Sequence, residues 1–483
     1  MGTIRLLINN EDLDAEAKGT HVCRDPVTGE ITSVAAAARS ADAIKAAEAA
    51  SQAFATWSRT SPATRRGLLN RAADLVEARR DAFAAAMMAE TGATKGWSAF
   101  NVHLGAEILR EAAALTTQVC GQTIPSGRPG CLAMSLRRPV GVVLGIAPWN
   151  APVILGLRAV ATPLACGNTV VLKASERCPA THRLIAEVLR DAGMAPGVIN
   201  VISNHPQDAA EVVNTLIAHR AIRRISFTGS SKVGRLVAQK AAEALKPVVL
   251  ELGGKSPLVV LDDADLQEAV NATVFGAFLN QGQICMSTER VIVQESVAAA
   301  FVERLQARAG ALSIGDPRRD DVALGPMAGG DLARHVEDLV RDATSKGAKL
   351  IRTANPDGLM VPPMILDGVT AQMAIYWEES FGPVVCVLRA KDDAAAIALA
   401  NDSAYGLSAA IFSQNISRAL SMAENIESGI CHINGPTVHD EAQMPFGGMK
   451  ESGFGRFGGT AGIHEFTELR WVTINTQKIA YPF

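Results

Sequence analysis

The sequence predicts an α/β protein built on two doubly wound parallel sheets. From residue 140 onward, short β-branched runs recur at 140–146, 169–173, 198–202, 224–228 and 247–250. Helix-like segments separate them, at 152–165, 181–192, 207–218 and 234–245. Strands alternating with helices dictate a parallel sheet covered on both faces, with ligands expected at the carboxyl ends of the strands. A second alternating block begins at Ser256 and runs to about residue 435, with no repeat and no low-complexity linker.

The N-terminal third reads as helical. Ser40 is placed to cap a helix carrying Ile44, Ala47 and Phe54 on one face. Ser61-Pro62 has the pattern of an N-cap followed by proline at the first helical position. Leu68, Leu69, Ala72, Leu75 and Val76 then follow helical spacing, and Gly92 is a natural stop.

Composition bounds the function. In 483 residues, 48% are apolar, enough for two or three domains with real cores. The net charge of −3 argues against nucleic acid or an anionic membrane as partner. None of the eight cysteines forms a CxxC pair, so no metal site is expected, and the thiols read as reduced and cytoplasmic. The N-terminal apolar stretch meets Glu11 and Asp12 too soon for a signal peptide. The uncharged stretch 139–157 is interrupted by Pro148 and Pro152 and reads as strand, turn and helix start, not as a membrane span.

Two nucleotide motifs fail. Gly453-Phe454-Gly455-Arg456-Phe457-Gly458 matches G-x-G-x-x-G, yet no strand precedes it and no helix pattern opens on it; a glycine-rich loop is the better reading. Gly254-Lys255-Ser256 resembles the end of a P-loop, but Val249 occupies the required first glycine.

Four other segments point to chemistry. The strand-to-helix turn at Gly229-Ser230, with Gly234 in the following helix, offers backbone N–H groups to a phosphate. Glu251 and Leu252 lie at an apolar strand end before Gly253-Gly254, where burial would lift a carboxyl toward the range of a general base. Asn280-Gln281-Gly282-Gln283-Ile284-Cys285 sets a cysteine just past a glycine, and Pro148-Trp149-Asn150 follows the first sheet strand, which ends near Ile146. Each alone has a plain structural explanation: a turn, a core salt bridge, an inert thiol, a turn-forming asparagine.

With Lys173-Ala174-Ser175-Glu176, Glu379-Ser380-Phe381-Gly382-Pro383 and Pro445-Phe446-Gly447-Gly448, these segments fall in the order and spacing of one family. Over nearly its whole length the chain resembles the aldehyde dehydrogenases. The resemblance implies an NAD-dependent enzyme with an aldehyde dehydrogenase-like fold, in which Cys285 is the nucleophile. The Asn150 amide and the Cys285 backbone N–H would hold the oxyanion, and Glu251 would activate the water that hydrolyses a thioester. Ile146, Trp149, Gly229, Ser230, Gly234 and Leu252 would meet the cofactor. So would Lys173 and Glu176 at its adenosine ribose, Glu379 at the nicotinamide ribose and Phe381 at the nicotinamide ring. A carboxylate such as Glu176 beside the ribose 2′-OH would repel a 2′-phosphate, favouring NAD over NADP.

The implied division is 1–119 with 140–250 for the cofactor domain and 251–440 for the catalytic domain. Residues 120–139, a β-hairpin, and 465–483 would form an oligomerisation arm exchanged between subunits, with 441–464 returning to the cofactor domain. A homodimer or homotetramer follows, with Arg456 and Glu468 at positions where relatives place charge pairs near the dimer interface. The sequence departs from the family pattern at Ala159 and Phe457, where many members carry a lysine and a glutamate thought to relay protons, and at Ser287, larger than usual.

The stretch from Gln283 to Arg290 resembles bacterial salicylaldehyde and vanillin dehydrogenases. Trp97, Phe100, Ile284 and Met286 would supply a flat apolar wall for an aromatic aldehyde. Trp97 and Phe100 equally fit ordinary helix packing. Arg158, two turns beyond Asn150, faces either a phenolic oxygen or solvent. It also keeps a succinate-semialdehyde dehydrogenase in view, although Leu279 lies where a second arginine would be expected. Glu251 argues against a CoA-acylating enzyme, and the intact Cys285, Asn150 and Glu251 set against a non-catalytic binding relative.

Overall fold

The computed structural model describes residues 3–319 and 321–483. Five parallel strands form the centre of the first sheet, in the order Ile199–Ile202, Thr169–Lys173, Val142–Ile146, Ile222–Thr228 and Val248–Glu251. Their boundaries fall within two residues of those read from the sequence. All five residues of Val142–Ile146 and of Thr169–Lys173 are buried, as expected of parallel strands covered on both faces. Leu6–Ile8 and Glu11–Leu13 extend one edge, and Gly453–Phe454 adds antiparallel to Val248–Glu251 at the other.

The second sheet has seven strands, in the order Lys349–Arg352, Met364–Asp367, Val384–Ala390, Thr288–Gln294, Ser256–Val260, Ser408–Phe412 and Ile430–Ile433. Only Lys349–Arg352 is antiparallel. Each sheet is packed on both faces, so each carries a pair of apolar clusters.

The helix Ser40–Trp57 differs from expectation in detail. Arg39, not Ser40, occupies the cap position, and Asp42 accepts the Arg39 backbone N–H. The Ser40 hydroxyl instead donates to Glu211 at 2.7 Å. The buried stripe is Ala43, Ala46, Ala47, Ala50 and Trp57, while Ile44 is exposed. Small residues let this helix lie close on the sheet, with Trp57 buried at its C-terminal end and Ile44 turned to solvent. The second cap is as read: Ser61 accepts from the Thr64 N–H, and Gly92 ends its helix at φ 69°.

The arm segments meet each other. Thr467–Asn475 runs antiparallel to Cys131–Pro139 over nine residue pairs, and Gln122–Ile124 forms the third strand. The two pieces of the expected arm thus form one three-stranded sheet within the chain. Thr467–Asn475 remains an open edge, and Leu469, Trp471 and Ile474 project from it into solvent. Arg456 and Glu468 do not pair: Arg456 donates to the Gly448 and Gly455 carbonyls, and Glu468 accepts from Arg224 at 3.0 Å.

The two sheets face each other through opposite ends. Glu251 closes the carboxyl end of its strand, and five residues later Ser256 opens the amino end of the next sheet. Cys285 precedes Thr288–Gln294 and therefore lies at an amino end also. The rule of carboxyl strand ends holds for the first sheet only; the second contributes from the opposite pole.

The approach to Cys285 is strained. Asn280, Gln281 and Gly282 take φ of 50°, 58° and 70° in succession. A Cβ on Gly282 would strike the Gly382 carbonyl oxygen. Gly282→Ala therefore destabilises the fold by about 2 kcal/mol or more, read by denaturant unfolding.

Candidate active site

Cys285 sits on the wall between two cavities. The first, of about 280 Å³, is lined by Trp149, Asn150, Gly229, Ser230, Glu251, Leu252, Glu379 and Phe381 among others. The second, of about 570 Å³, is lined by Trp97, Phe100, Arg158, Ile284 and Met286, with Asn150 again at the shared wall. The strand-end turns of the first sheet and the strained loop of the second thus bring the three candidate catalytic residues together.

Asn150 is held through its backbone. Its carbonyl accepts from the Trp97 indole N–H at 2.9 Å and from the Asn280 amide at 3.1 Å. Its own side-chain amide donates to the Gln283 carbonyl at 3.0 Å, two residues before the cysteine. Gly254 packs so closely on Cys285 that a Cβ there would meet the cysteine carbonyl oxygen. Ser287 is accommodated by donating its hydroxyl to the Gly282 carbonyl at 3.0 Å, which ties off the loop that carries Cys285.

Glu251 is almost fully buried, and among the described residues its Oε1 has no hydrogen-bond partner. Burial pushes its carboxyl up to about 7, against the opposing pull of the Cys285 thiol and the Arg158 cation. Burial and the facing Glu251 push the Cys285 thiol well above its ordinary range. Two groups that disfavour simultaneous charge share one proton more readily than they release both. A carboxyl titrating near neutrality is matched to proton exchange with its neighbours.

Glu379 is fixed by accepting the Gly254 backbone N–H at 2.9 Å, and burial raises its carboxyl to about 8. Phe381 takes φ 47° and meets Trp149 edge to face at 5.8 Å between ring centroids. Its backbone N–H and the Ser380 N–H both reach Glu289, a strand residue whose other partner is the buried Lys255 ammonium at 2.6 Å. The lysine that looked like a P-loop remnant is a brace.

The first cavity has the features of a dinucleotide site. Ser230 caps the helix Ser231–Glu243, so the helix N-terminus and Cys285 both border the cavity. A Cβ on Gly229 would meet the Phe227 ring, so only glycine keeps this turn tight. A carboxyl, an aromatic ring and a helix N-terminus form a donor and acceptor set that fits ribose, nicotinamide and phosphate.

Some expected contacts lie elsewhere. Ile146 and Gly234 do not line this cavity; Gly234 backs onto Leu252, where a Cβ would collide. Lys173 and Glu176 lie outside it and form an ion pair with each other, and Asn204 donates to Glu176 at 2.9 Å. Although burial alone would raise the Glu176 carboxyl, the Lys173 ammonium and these bonds hold it below the usual carboxylate range. Ala159 and Phe457 are buried among apolar neighbours and offer no proton carrier.

Trp97 and Phe100 stack at 5.6 Å and both reach the second cavity, so packing and pocket are one arrangement. Arg158 is buried, which excludes the solvent-facing alternative. It pairs with Asp440 and lies over the Phe446 ring at 4.4 Å. Asp440 and His335, a further first-cavity residue, escaped sequence reasoning: each stands in a stretch with no motif around it.

A family model, "Aldehyde dehydrogenase family", matches residues 13–472. The chain belongs to this family. It is similar to the vanillin dehydrogenase of Pseudomonas fluorescens, with 56% identity over 99% of both chains. The crystal structure of a salicylaldehyde dehydrogenase from Pseudomonas putida G7 complexed with salicylaldehyde superposes with a TM-score of 0.98, at 48% identity and full coverage of both. A betaine aldehyde dehydrogenase of Staphylococcus aureus, solved with NAD+, gives 0.95 at 31% identity, covering 99% of this chain and 95% of that one. This aldehyde dehydrogenase is an oxidoreductase of α/β fold. Among its described residues no helix is long and apolar enough to cross a membrane.

The burial of Glu251 has a measurable consequence. Between the ordinary 4.5 and about 7, the folded state keeps a proton that the unfolded state has released. Stability is therefore lost as pH rises through that window. Glu251→Gln removes this loss, so its stability relative to wild type should climb from pH 4.5 to 7 and level off above. A gap independent of pH in denaturant unfolding contradicts the assignment.

Proposed function

We propose that this aldehyde dehydrogenase oxidises aromatic aldehydes, of the benzaldehyde, vanillin or salicylaldehyde type, to carboxylic acids with NAD. The position of Cys285 on the wall shared by a polar cavity and an apolar one carries this reading. The aldehyde enters the second cavity with its ring against Trp97 and Phe100, flanked by Ile284 and Met286. The names of the similar proteins, vanillin and salicylaldehyde dehydrogenases, support the same substrate class.

Cys285 adds to the aldehyde carbon as Glu251 takes the thiol proton, which removes the need for a free thiolate in a buried site. The carbonyl oxygen becomes an oxyanion held by the Asn150 amide and the Cys285 backbone N–H. To do so, Asn150 exchanges its bond to the Gln283 carbonyl for one to the substrate. When bound, the nicotinamide supplies the hydride acceptor needed to leave a thioester on Cys285. After Glu251 has passed the thiol proton to solvent water, it draws a proton from the water that adds to the thioester carbon; the C–S bond breaks, the acid departs and Cys285 sulfur takes the proton back from Glu251. With Ala159 and Phe457 apolar, Glu251 exchanges protons through water.

Trp149, Gly229 and Ser230 would hold the pyrophosphate, Glu379 the nicotinamide ribose and Phe381 the nicotinamide ring. Lys173 and Glu176 would hold the adenosine ribose, and the ionised Glu176 favours NAD over a 2′-phosphorylated cofactor. Residues 1–119 with 140–250 act as the cofactor domain, 251–440 as the catalytic domain and 441–464 as the returning segment. The open strand 467–475 supports a homodimer or homotetramer, to be read by light scattering.

The semialdehyde alternative is weakened by two side chains. Leu279 is part of the second cavity wall, and Arg158 already has a carboxylate partner. The test is NADH formation at 340 nm with an aldehyde panel. Aromatic aldehydes should exceed succinate semialdehyde and acetaldehyde in kcat/KM, and NAD should exceed NADP. Cys285→Ala should abolish turnover, and Asn150→Ala should lower kcat by about 10²–10³-fold, equivalent to about 3–4 kcal/mol. Turnover by Cys285→Ala, or a lead for succinate semialdehyde, overturns the reading.

A further inference from the structure

Apart from Asn150 and Cys285 at the shared wall and His439 beside Asp440, the second cavity is lined by apolar residues and one buried ion pair, whose geometry is unusual. Arg158 and Asp440 are 6% and 7% exposed, and both line the cavity that Cys285 shares. A single nitrogen, Nη2, donates to both carboxylate oxygens, at 2.9 and 2.8 Å. An arginine pairing at its best presents two nitrogens side by side to a carboxylate. Here the pairing is side-on, so Nη1 and Nε are not spent on Asp440. The guanidinium face is taken by the Phe446 ring at 4.4 Å.

Such a pair is not needed for stability. Two charges withdrawn from water among Trp97, Phe100, Met286 and Phe446 gain little over apolar side chains of the same volume. What the pair supplies is a charged donor and a charged acceptor side by side in a cavity whose remaining lining is mostly apolar. It offers cationic N–H donors and anionic oxygen acceptors next to each other, with formal charge cancelled. A hydroxyl both donates and accepts, and so satisfies both partners. A carboxylate on the substrate would gain Arg158 but face Asp440, and a plain ring would leave the pair's remaining valences without a ligand.

We propose that Arg158 and Asp440 together form a subsite for a neutral hydroxyl on the substrate ring, so that the preferred substrates are hydroxylated benzaldehydes without a second acid group. The ring hydroxyl donates to Asp440 and accepts from Arg158, which fixes the ring while the aldehyde carbon faces Cys285. This rests on the aromatic-aldehyde reading above and names the substrate class within it. Arg158 and Asp440 are specificity residues in this scheme and take no part in bond making.

The experiment compares hydroxybenzaldehydes, benzaldehyde and carboxybenzaldehydes in wild type and in Asp440→Asn. Wild type should prefer the hydroxylated ring over both others. Asp440→Asn should reduce the ratio of kcat/KM for hydroxylated over plain benzaldehyde by about 10–100-fold, the range expected for loss of one hydrogen bond to a charged group. Binding is read separately with Cys285→Ala, using hydroxybenzyl alcohol and benzyl alcohol as unreactive probes in calorimetry; adding Asp440→Asn should reduce the affinity ratio by the same factor. Should Asp440→Asn fold poorly, the double variant Arg158→Met with Asp440→Leu replaces the pair by apolar groups and should show the same loss of ratio. An unchanged ratio in a folded variant overturns the subsite while leaving aromatic oxidation in place. Absence of aromatic turnover in wild type overturns the underlying reading and the subsite with it.

Discussion

The geometry around Cys285 depends on one buried contact, the Lys255 ammonium on the Glu289 carboxylate at 2.6 Å. Lys255 belongs to the segment that leaves Glu251. Glu289 belongs to the strand that follows Cys285. The same carboxylate takes the Ser380 hydroxyl and the Ser380 and Phe381 N–H groups, so the loop bearing Glu379 is fixed to both. Arg290, next along, donates to the Lys255 carbonyl at 3.1 Å and binds the segment a second time. The value of this pair is not its net energy, since desolvation consumes most of what a buried ion pair gains. Its value is that three separate stretches of chain must agree on one position. Removing either partner would leave a bare charge in the core, so the arrangement resists drift.

That constraint permits the strain nearby. Three consecutive residues at positive φ, followed by a cysteine against which only glycine can pack, would relax in an unsupported loop. Held by the brace, the strain places the cysteine at the junction of the two cavities. Burial then does the electrostatic work. Glu251 loses its hydration and gains no full replacement, so its carboxyl titrates near neutrality where a hydrated carboxylate would not. Packing, strain and acidity are consequences of the same tight join between two sheets.

Much of this was legible in the sequence because it depends on local pattern. The five central strands and their helices follow from β-branched runs and spacing, and the segments with Asn150, Glu251 and Cys285 could be ranked by their shared order. What escaped depends on distance in space. Asp440 carries no motif; only the fold brings it to Arg158 across 282 positions of chain. Lys255 resembled a phosphate ligand because a three-residue pattern says nothing of the Glu289 that neutralises it. Ile44 was assigned to a buried face since periodicity counts apolar residues, whereas the close approach of helix to sheet selected alanines. The arm follows from the family resemblance, and local composition does not say which strands pair first. Its first partner is the chain's own last strand, and the edge exposed is the one beyond it.

The two positions that depart from the family pattern fit the same logic. Ala159 lies against Gly145, whose Cβ would come within 3.1 Å of it, and Phe457 is buried where it exchanges backbone hydrogen bonds with Phe446. Phe446 in turn carries the Arg158 guanidinium on its face. An apolar residue at 457 thus helps seat the ring that orients Arg158, and a small one at 159 lets the helix beside it press onto the sheet. Groups that would carry protons are exchanged for groups that shape the cavity. Near Glu251 stand instead Arg158 and Asp440, which act on its acidity in opposite directions. A pair that is neutral as a unit places polar groups in the cavity while the burial of Glu251 still holds its carboxyl at about 7.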